Sequence, residues 1–149
     1  MLTFTRTNSI HPDFISLVCQ LDIELAAIDG DEHDFYAQYN KIDKINHVVV
    51  AYENELPIAC GAIKQFSKSA MEVKRMYTLA SNRGKGVASE VLNELEKWAA
   101  EMNYSHCVLE TGVRQPDAIR LYEKNGYLPV PNYGQYAGVE NSRCFEKKL

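Results

Sequence analysis

The chain has 149 residues, 46% of them hydrophobic and 24% charged. That is an ordinary globular balance, and it excludes a disordered or collagen-like chain. The formal net charge of −4 runs against the basic surface that a general nucleic-acid binder needs. No run approaches the ~20 apolar residues of a membrane span, so neither nucleic acid nor membrane is an expected partner.

Residues 2–6, LTFTR, alternate as a short strand. A helix follows His11-Pro12, with proline tolerated in its first turn. Phe14, Val18, Leu21 and Leu25 share one apolar face, and Asp29-Gly30-Asp31 ends the helix. The polar, aromatic segment with Phe35, Tyr36 and Tyr39 reads as a short helix. Strands are predicted over 47–52, 57–66 and 71–79, joined as an antiparallel meander. Ser81-Asn82-Arg83-Gly84-Lys85-Gly86 then leads into a helix over 86–102, with Val87, Val91, Leu95, Trp98, Ala99 and Met102 on its apolar face. A strand over 105–110, a helix over 116–125 capped by Gly126 and a last strand over 143–148 complete the chain. With no repeat or linker, one domain over 1–149 is expected, its first half antiparallel and its second half β-α-β-α.

Four cysteines at 19, 60, 107 and 144 are too far apart for a zinc knuckle or redox pair, and each reads as a small core residue. The histidines are equally scattered, so no metal site is expected. The N-terminal segment has no apolar core of the kind a signal peptide carries. Reduced thiols with no export signal predict a cytoplasmic protein.

Charge is uneven along the chain. Residues 1–70 carry 5 basic and 10 acidic side chains, and residues 71–149 carry 11 and 10, so anion-binding chemistry belongs in the second half. Its sharpest signal is Arg83-Gly84-Lys85-Gly86-Val87-Ala88 between a strand and a helix. The two glycines permit positive φ and close ligand approach. The unpaired N–H groups of the helix start make an anion site suited to a phosphate or pyrophosphate. Neither G-x-x-x-x-G-K-[ST] nor G-x-G-x-x-G is present, because position 89 is Ser89; nucleotide hydrolysis and nicotinamide redox chemistry fall away.

The order strand-(R/Q)-x-x-G-x-(G/A)-helix, filled by Arg83, Gly86 and Ala88, resembles motif A of the GNAT superfamily, the acyl-CoA-dependent N-acyltransferases. The preceding EVKRMYT resembles that family's fourth strand. Ala118-Ile119-Arg120-Leu121-Tyr122-Glu123-Lys124-Asn125-Gly126-Tyr127 resembles its motif B, with Tyr127 for the usual Phe. The match covers 71–127, and the order of the N-terminal elements agrees with it. The resemblance implies an α/β (α+β) fold. Its twisted sheet is mixed, mostly antiparallel, flanked by helices and splayed between the fourth and fifth strands. Acetyl-CoA would lie in that V. Its pyrophosphate would rest on the amides of Arg83, Gly84, Lys85, Gly86, Val87 and Ala88, and its pantetheine arm would run along Met76, Tyr77 and Thr78. Gln115, which stands where many members have Asn, Ala118 and Tyr122 would complete the cofactor site.

The implied reaction transfers an acetyl group to a primary amine of a small molecule or peptide, by direct attack in a ternary complex. Tyr122 is the expected acid for the leaving thiolate, since a phenol of pKa about 10 is near that of a thiol. A backbone N–H near Met76 is the expected oxyanion donor. Glu72 is the expected base, on one strand face with Lys74, Met76 and Thr78; Glu110 is its competitor. Tyr133 and Tyr136 either line an acceptor pocket or pack a loop. Arg75 and Arg114 either hold an acceptor carboxylate or form exposed salt bridges, the latter being favoured. The acidic cluster Asp29, Asp31, Glu32 and Asp34 is a solvated turn or an attractor of cationic amines. Many members of the family pair as homodimers. The competing reading is a non-catalytic domain that binds CoA as a sensor or scaffold; a retained Tyr122 and an intact phosphate loop favour the enzyme.

Overall fold

A computed structural model describes residues 1–38 and 44–149; Tyr39 lies outside the described residues. The chain runs β1 (Leu2–Thr7), α1 (Pro12–Asp29), α2 (His33–Ala37), β2 (His47–Glu53), β3 (Leu56–Gln65), β4 (Ala70–Thr78), α3 (Val87–Glu101), β5 (His106–Gly112), α4 (Pro116–Lys124), β6 (Leu128–Val130) and β7 (Ser142–Lys148). The strands form one sheet in the order β1-β2-β3-β4-β5-β7-β6. Every neighbouring pair is antiparallel except β4 and β5, which are parallel. The fold is therefore the mixed, mostly antiparallel sheet flanked by helices that the family resemblance implies. β6, three residues around Pro129 at the sheet edge, has no counterpart in that prediction. Among the described residues no helix is long and apolar enough to cross a membrane.

The middle of the sheet is buried on both faces, which is why His47–Glu53 reads as an unbroken apolar run rather than an alternation. Val48 and Val50, with Cys60 and Ala62, pack under Phe14, Leu17, Val18 and Leu21 of α1. Val49, Ala51, Ile63, Met71 and Val73 pack on the other face against Val91, Leu92, Leu95 and Ala99 of α3. α1 starts with His11 as N-cap, its Nδ1 accepting from the Asp13 N–H at 3.2 Å, and Pro12 in the first turn. Cys60, Cys107 and Cys144 are core residues as expected, whereas Cys19 is exposed. Its neighbour Val18 takes the buried position, and one residue further round the helix points to solvent.

β4 departs from a simple strand. Ala62 pairs with Lys74 and Cys60 with Tyr77, so Arg75 and Met76 together oppose Gly61, a β-bulge. Arg75 carries the positive φ of the bulge, 57°. The bulge overturns the expected shared face of Glu72, Lys74, Met76 and Thr78. Before it, Met71 and Val73 face α3 while Glu72 and Lys74 face away; after it, Met76 faces α3 and Tyr77 faces α1. Gly61 makes the crossing fit. A Cβ there would collide with the Met76 sulfur and lie 2.8 Å from a Leu95 methyl.

Candidate active site

The parallel pair β4 and β5 is held by only three residue pairs, Ala70 with His106, Met71 with Cys107 and Glu72 with Val108. Beyond them, among the described residues, β4 pairs only with β3, and β5 only with β7. The sheet splits there into a cleft lined on the β4 side by Glu72, Lys74, Arg75 and Met76, and on the β5 side by Glu110, Gln115, Ala118 and Tyr122. Because the split runs through the sheet, the cleft joins its two faces. Cys107 and Leu109 of β5 pack toward α3, so alternation places Glu110 on the α1 side with Glu72. Asp29 at the end of α1, Tyr36 of α2 and Tyr136 line the same side. Tyr122 stands on the α3 side, its ring 5.7 Å edge-to-face from Tyr127.

The glycine loop follows β4 after a short 3-10 turn, Ala80–Asn82. Gly84 and Gly86 have φ of 78° and 82°, a region that L side chains rarely adopt, with open space where a Cβ would stand. The first bond of α3 runs from the Glu90 N–H to the Gly86 carbonyl at 3.2 Å. The N–H groups of Val87, Ala88 and Ser89 therefore point out of the helix end. This concavity, with Lys85 exposed beside it, suits a pyrophosphate. Asn125 ties α4 to this end of α3, donating from Nδ2 to the Ser89 hydroxyl at 3.1 Å and to the Leu121 carbonyl at 2.8 Å. Arg83 is already engaged: its Nε donates to the Thr78 carbonyl at 2.9 Å and its Nη2 to Glu24 at 2.9 Å. Burial raises the Glu24 carboxyl, but hydrogen bonds from Tyr77 and Arg83 outweigh it and hold the group below its usual range.

The two carboxylates differ sharply. Glu72 accepts from the Tyr133 hydroxyl at 2.6 Å and lies 3.7 Å from the Lys74 ammonium. Among the described residues, Glu110 Oε2 is buried without a hydrogen-bond partner. Burial pushes its carboxyl up to about 7, against a lowering hydrogen bond from Ser142, and the nearby Glu72 charge adds to the rise. The Tyr122 hydroxyl is driven well above its ordinary value by burial and then by Glu110, so it is protonated throughout the neutral range.

The cleft brings together Glu72, Glu110, Met76, Gln115, Ala118, Tyr122 and Tyr136. Tyr133 reaches it through Glu72 and packs its ring 4.6 Å from Phe66. Of the acidic cluster, Asp29 lines the cleft and Glu32 pairs with Arg114 at 3.0 Å. Arg75 is not in an exposed salt bridge. Its side chain is 1% exposed and its Nη2 meets Asp22 at 2.5 Å, because the bulge turns it under α1. Asp22 as the partner of Arg75 and Glu24 as the partner of Arg83 were invisible in the sequence, where more than fifty residues separate each pair.

The Acetyltransferase (GNAT) family matches residues 16–127. An IAA acetyltransferase of Azospirillum brasilense is 28% identical over 150 residues, covering 99% of this chain and 98% of that protein. A Klebsiella pneumoniae protein described as an acyl-CoA N-acyltransferase superposes with a TM-score of 0.83 at 25% identity, over 100% of this chain and 98% of the other. A GNAT acetyltransferase of Elizabethkingia anophelis, crystallised with acetyl-CoA bound, shares the fold with a TM-score of 0.72 at 17% identity, over 99% and 98% of the two chains. Split parallel strands, the glycine loop at a helix start and a cleft lined by Glu72, Glu110 and Tyr122 thus meet a family match over most of the chain, which belongs to the GNAT acetyltransferases.

Proposed function

We propose that the protein is an acetyl-CoA-dependent N-acetyltransferase acting on a primary amine. The observation that carries this reading is the cleft where the sheet splits, lined by Glu72, Glu110 and Tyr122, with Val87 at the start of α3 in the same core cluster as Tyr122. Acetyl-CoA supplies the activated acyl group as a thioester. The residues present fit it. The amides of Gly84 to Ser89, with Lys85 and Arg83, hold the pyrophosphate, and Met76, Tyr77, Thr78, Gln115 and Ala118 flank the pantetheine path.

The amine enters from the α1 side, past Asp29, Tyr36 and Tyr136. Glu110 accepts its proton, because a carboxyl held near neutral pH suits a base working there. The sequence pointed first to Glu72. That carboxylate is occupied by Tyr133 and Lys74, and its role is to orient the acceptor side. Backbone at the Arg75–Met76 bulge, outside the regular pairing of β3 and β4, provides an N–H for the oxygen on which negative charge develops. Tyr122 gives its proton to the departing sulfur.

Thiol release from acetyl-CoA, followed with a panel of polyamines, amino acids and peptides, tests the reading. Release that depends on an amine is expected. Release at background with every amine would overturn it.

A further inference from the structure

The donor loop is fastened to the acceptor-side helix by a clamp. Glu24, on the α1 turn between the cleft residues Leu21 and Leu25, receives the Tyr77 hydroxyl at 2.6 Å and the Arg83 Nη2 at 2.9 Å on both carboxylate oxygens. Arg83 Nε is spent on the Thr78 carbonyl, and the guanidinium carbon sits 5.5 Å over the Tyr77 ring. One edge of the guanidinium is thereby fully used, and its face is supported. Among the described residues the outer nitrogen, Nη1, makes no hydrogen bond and is left to donate. Arg83 is nevertheless half exposed, and an unheld arginine there would sample many rotamers.

We propose that Glu24 is a positioning residue for the acyl donor: it fixes Arg83, through one edge of its guanidinium, so that Nη1 is presented to the donor pyrophosphate. The inference rests on the donor site proposed above. Its alternative is electrostatic. Glu24 would then act as an internal anion that competes with phosphate for Arg83, and its removal would tighten binding.

The two roles differ in sign. Holding a rotamer-rich side chain beforehand avoids about 0.5–1.5 kcal/mol of ordering cost, which converts to roughly 2- to 12-fold in Kd. Glu24→Ala should therefore raise the Kd for CoA, and KM for acetyl-CoA, by that factor with kcat little changed. With S-acetylpantetheine, which carries the thioester and the arm but no pyrophosphate, the same variant should match wild type. In an Arg83→Ala background Glu24→Ala should no longer weaken CoA binding. CoA binding to Glu24→Ala as tight as or tighter than wild type would overturn the proposal. So would an equal loss with S-acetylpantetheine, which marks general damage to α1. If wild type itself fails to bind CoA, the donor site falls and the clamp falls with it; if wild type binds and Glu24→Ala binds equally well, only the clamp is refuted.

Discussion

Replacing Glu110 by Gln exposes the conflict between stability and function in the cleft. The carboxyl is raised from 4.5 to about 7, chiefly by burial. Between those values the native state holds a proton that the unfolded chain has released, so stability falls as pH rises through this window. The contribution is fully present below about pH 4.5 and lost above about 7. At 1.36 kcal/mol per unit, the penalty grows by about 2.5 kcal/mol between pH 5 and pH 8. The charges that face Glu110 are Glu72 and Lys74 of β4 and Asp29 of α1; the Gln substitution leaves all three in place. Gln has the shape of the protonated carboxyl and cannot ionise. Urea unfolding of both proteins at pH 5, 6, 7 and 8 should therefore show the variant gaining about 2.5 kcal/mol relative to wild type across the series. The same variant should lose amine-dependent turnover, and the rising limb of the wild-type pH profile near 7 should disappear. A stability difference that stays flat from pH 5 to 8 would mean that Glu110 titrates alike in both states and is not held protonated by burial.

Gly86→Asp puts a side chain at φ 82° and a negative charge at the helix start, so CoA binding should vanish. In wild type, CoA at about 100 times its Kd adds about 2.7 kcal/mol, a Tm rise on the order of 5–10 °C. Thermal melts should show that rise with acetyl-CoA, none with NAD or ATP, and none for the variant; an equal rise with all three ligands would show a nonspecific anion site. Gly61→Ala forces a methyl into Met76 and Leu95 at the bulge. Overpacking of this kind costs roughly 1–3 kcal/mol, or on the order of 3–10 °C in Tm; an unchanged Tm would show that the α3 side chains yield freely.

The glycine loop, the apolar stripes of α1 and α3 and the apolar runs of the meander were legible because each is a local pattern with a local cause. Their order also carried the family resemblance, and with it the split between β4 and β5. The bulge was not legible. Arg75 gives no sequence signal for a positive φ, and the small residue that permits the crossing, Gly61, lies on the neighbouring strand. A strict two-residue alternation therefore placed Met76 on the face of Glu72, and the bulge moves it to the other. Long-range pairings were equally hidden. Tyr133 with Glu72, Asp22 with Arg75 and Glu24 with Arg83 are each separated by more than fifty residues, and only the packing of α1 and the C-terminal loop over the cleft brings them together. β6 escaped notice because three residues around a proline look like loop until β7 supplies a partner.

In the proposed reaction the cleft between β4 and β5 transfers an acyl group with Tyr122 as its proton donor. Tyr122→Phe removes one hydroxyl and keeps the ring against Tyr127. Steady-state thiol release from acetyl-CoA with the best amine acceptor measures the consequence directly. A fall in kcat on the order of 10²-fold or more is expected with the Kd for CoA unchanged, the pattern of an interaction made only as charge develops on sulfur. A variant that turns over at the wild-type rate would contradict it.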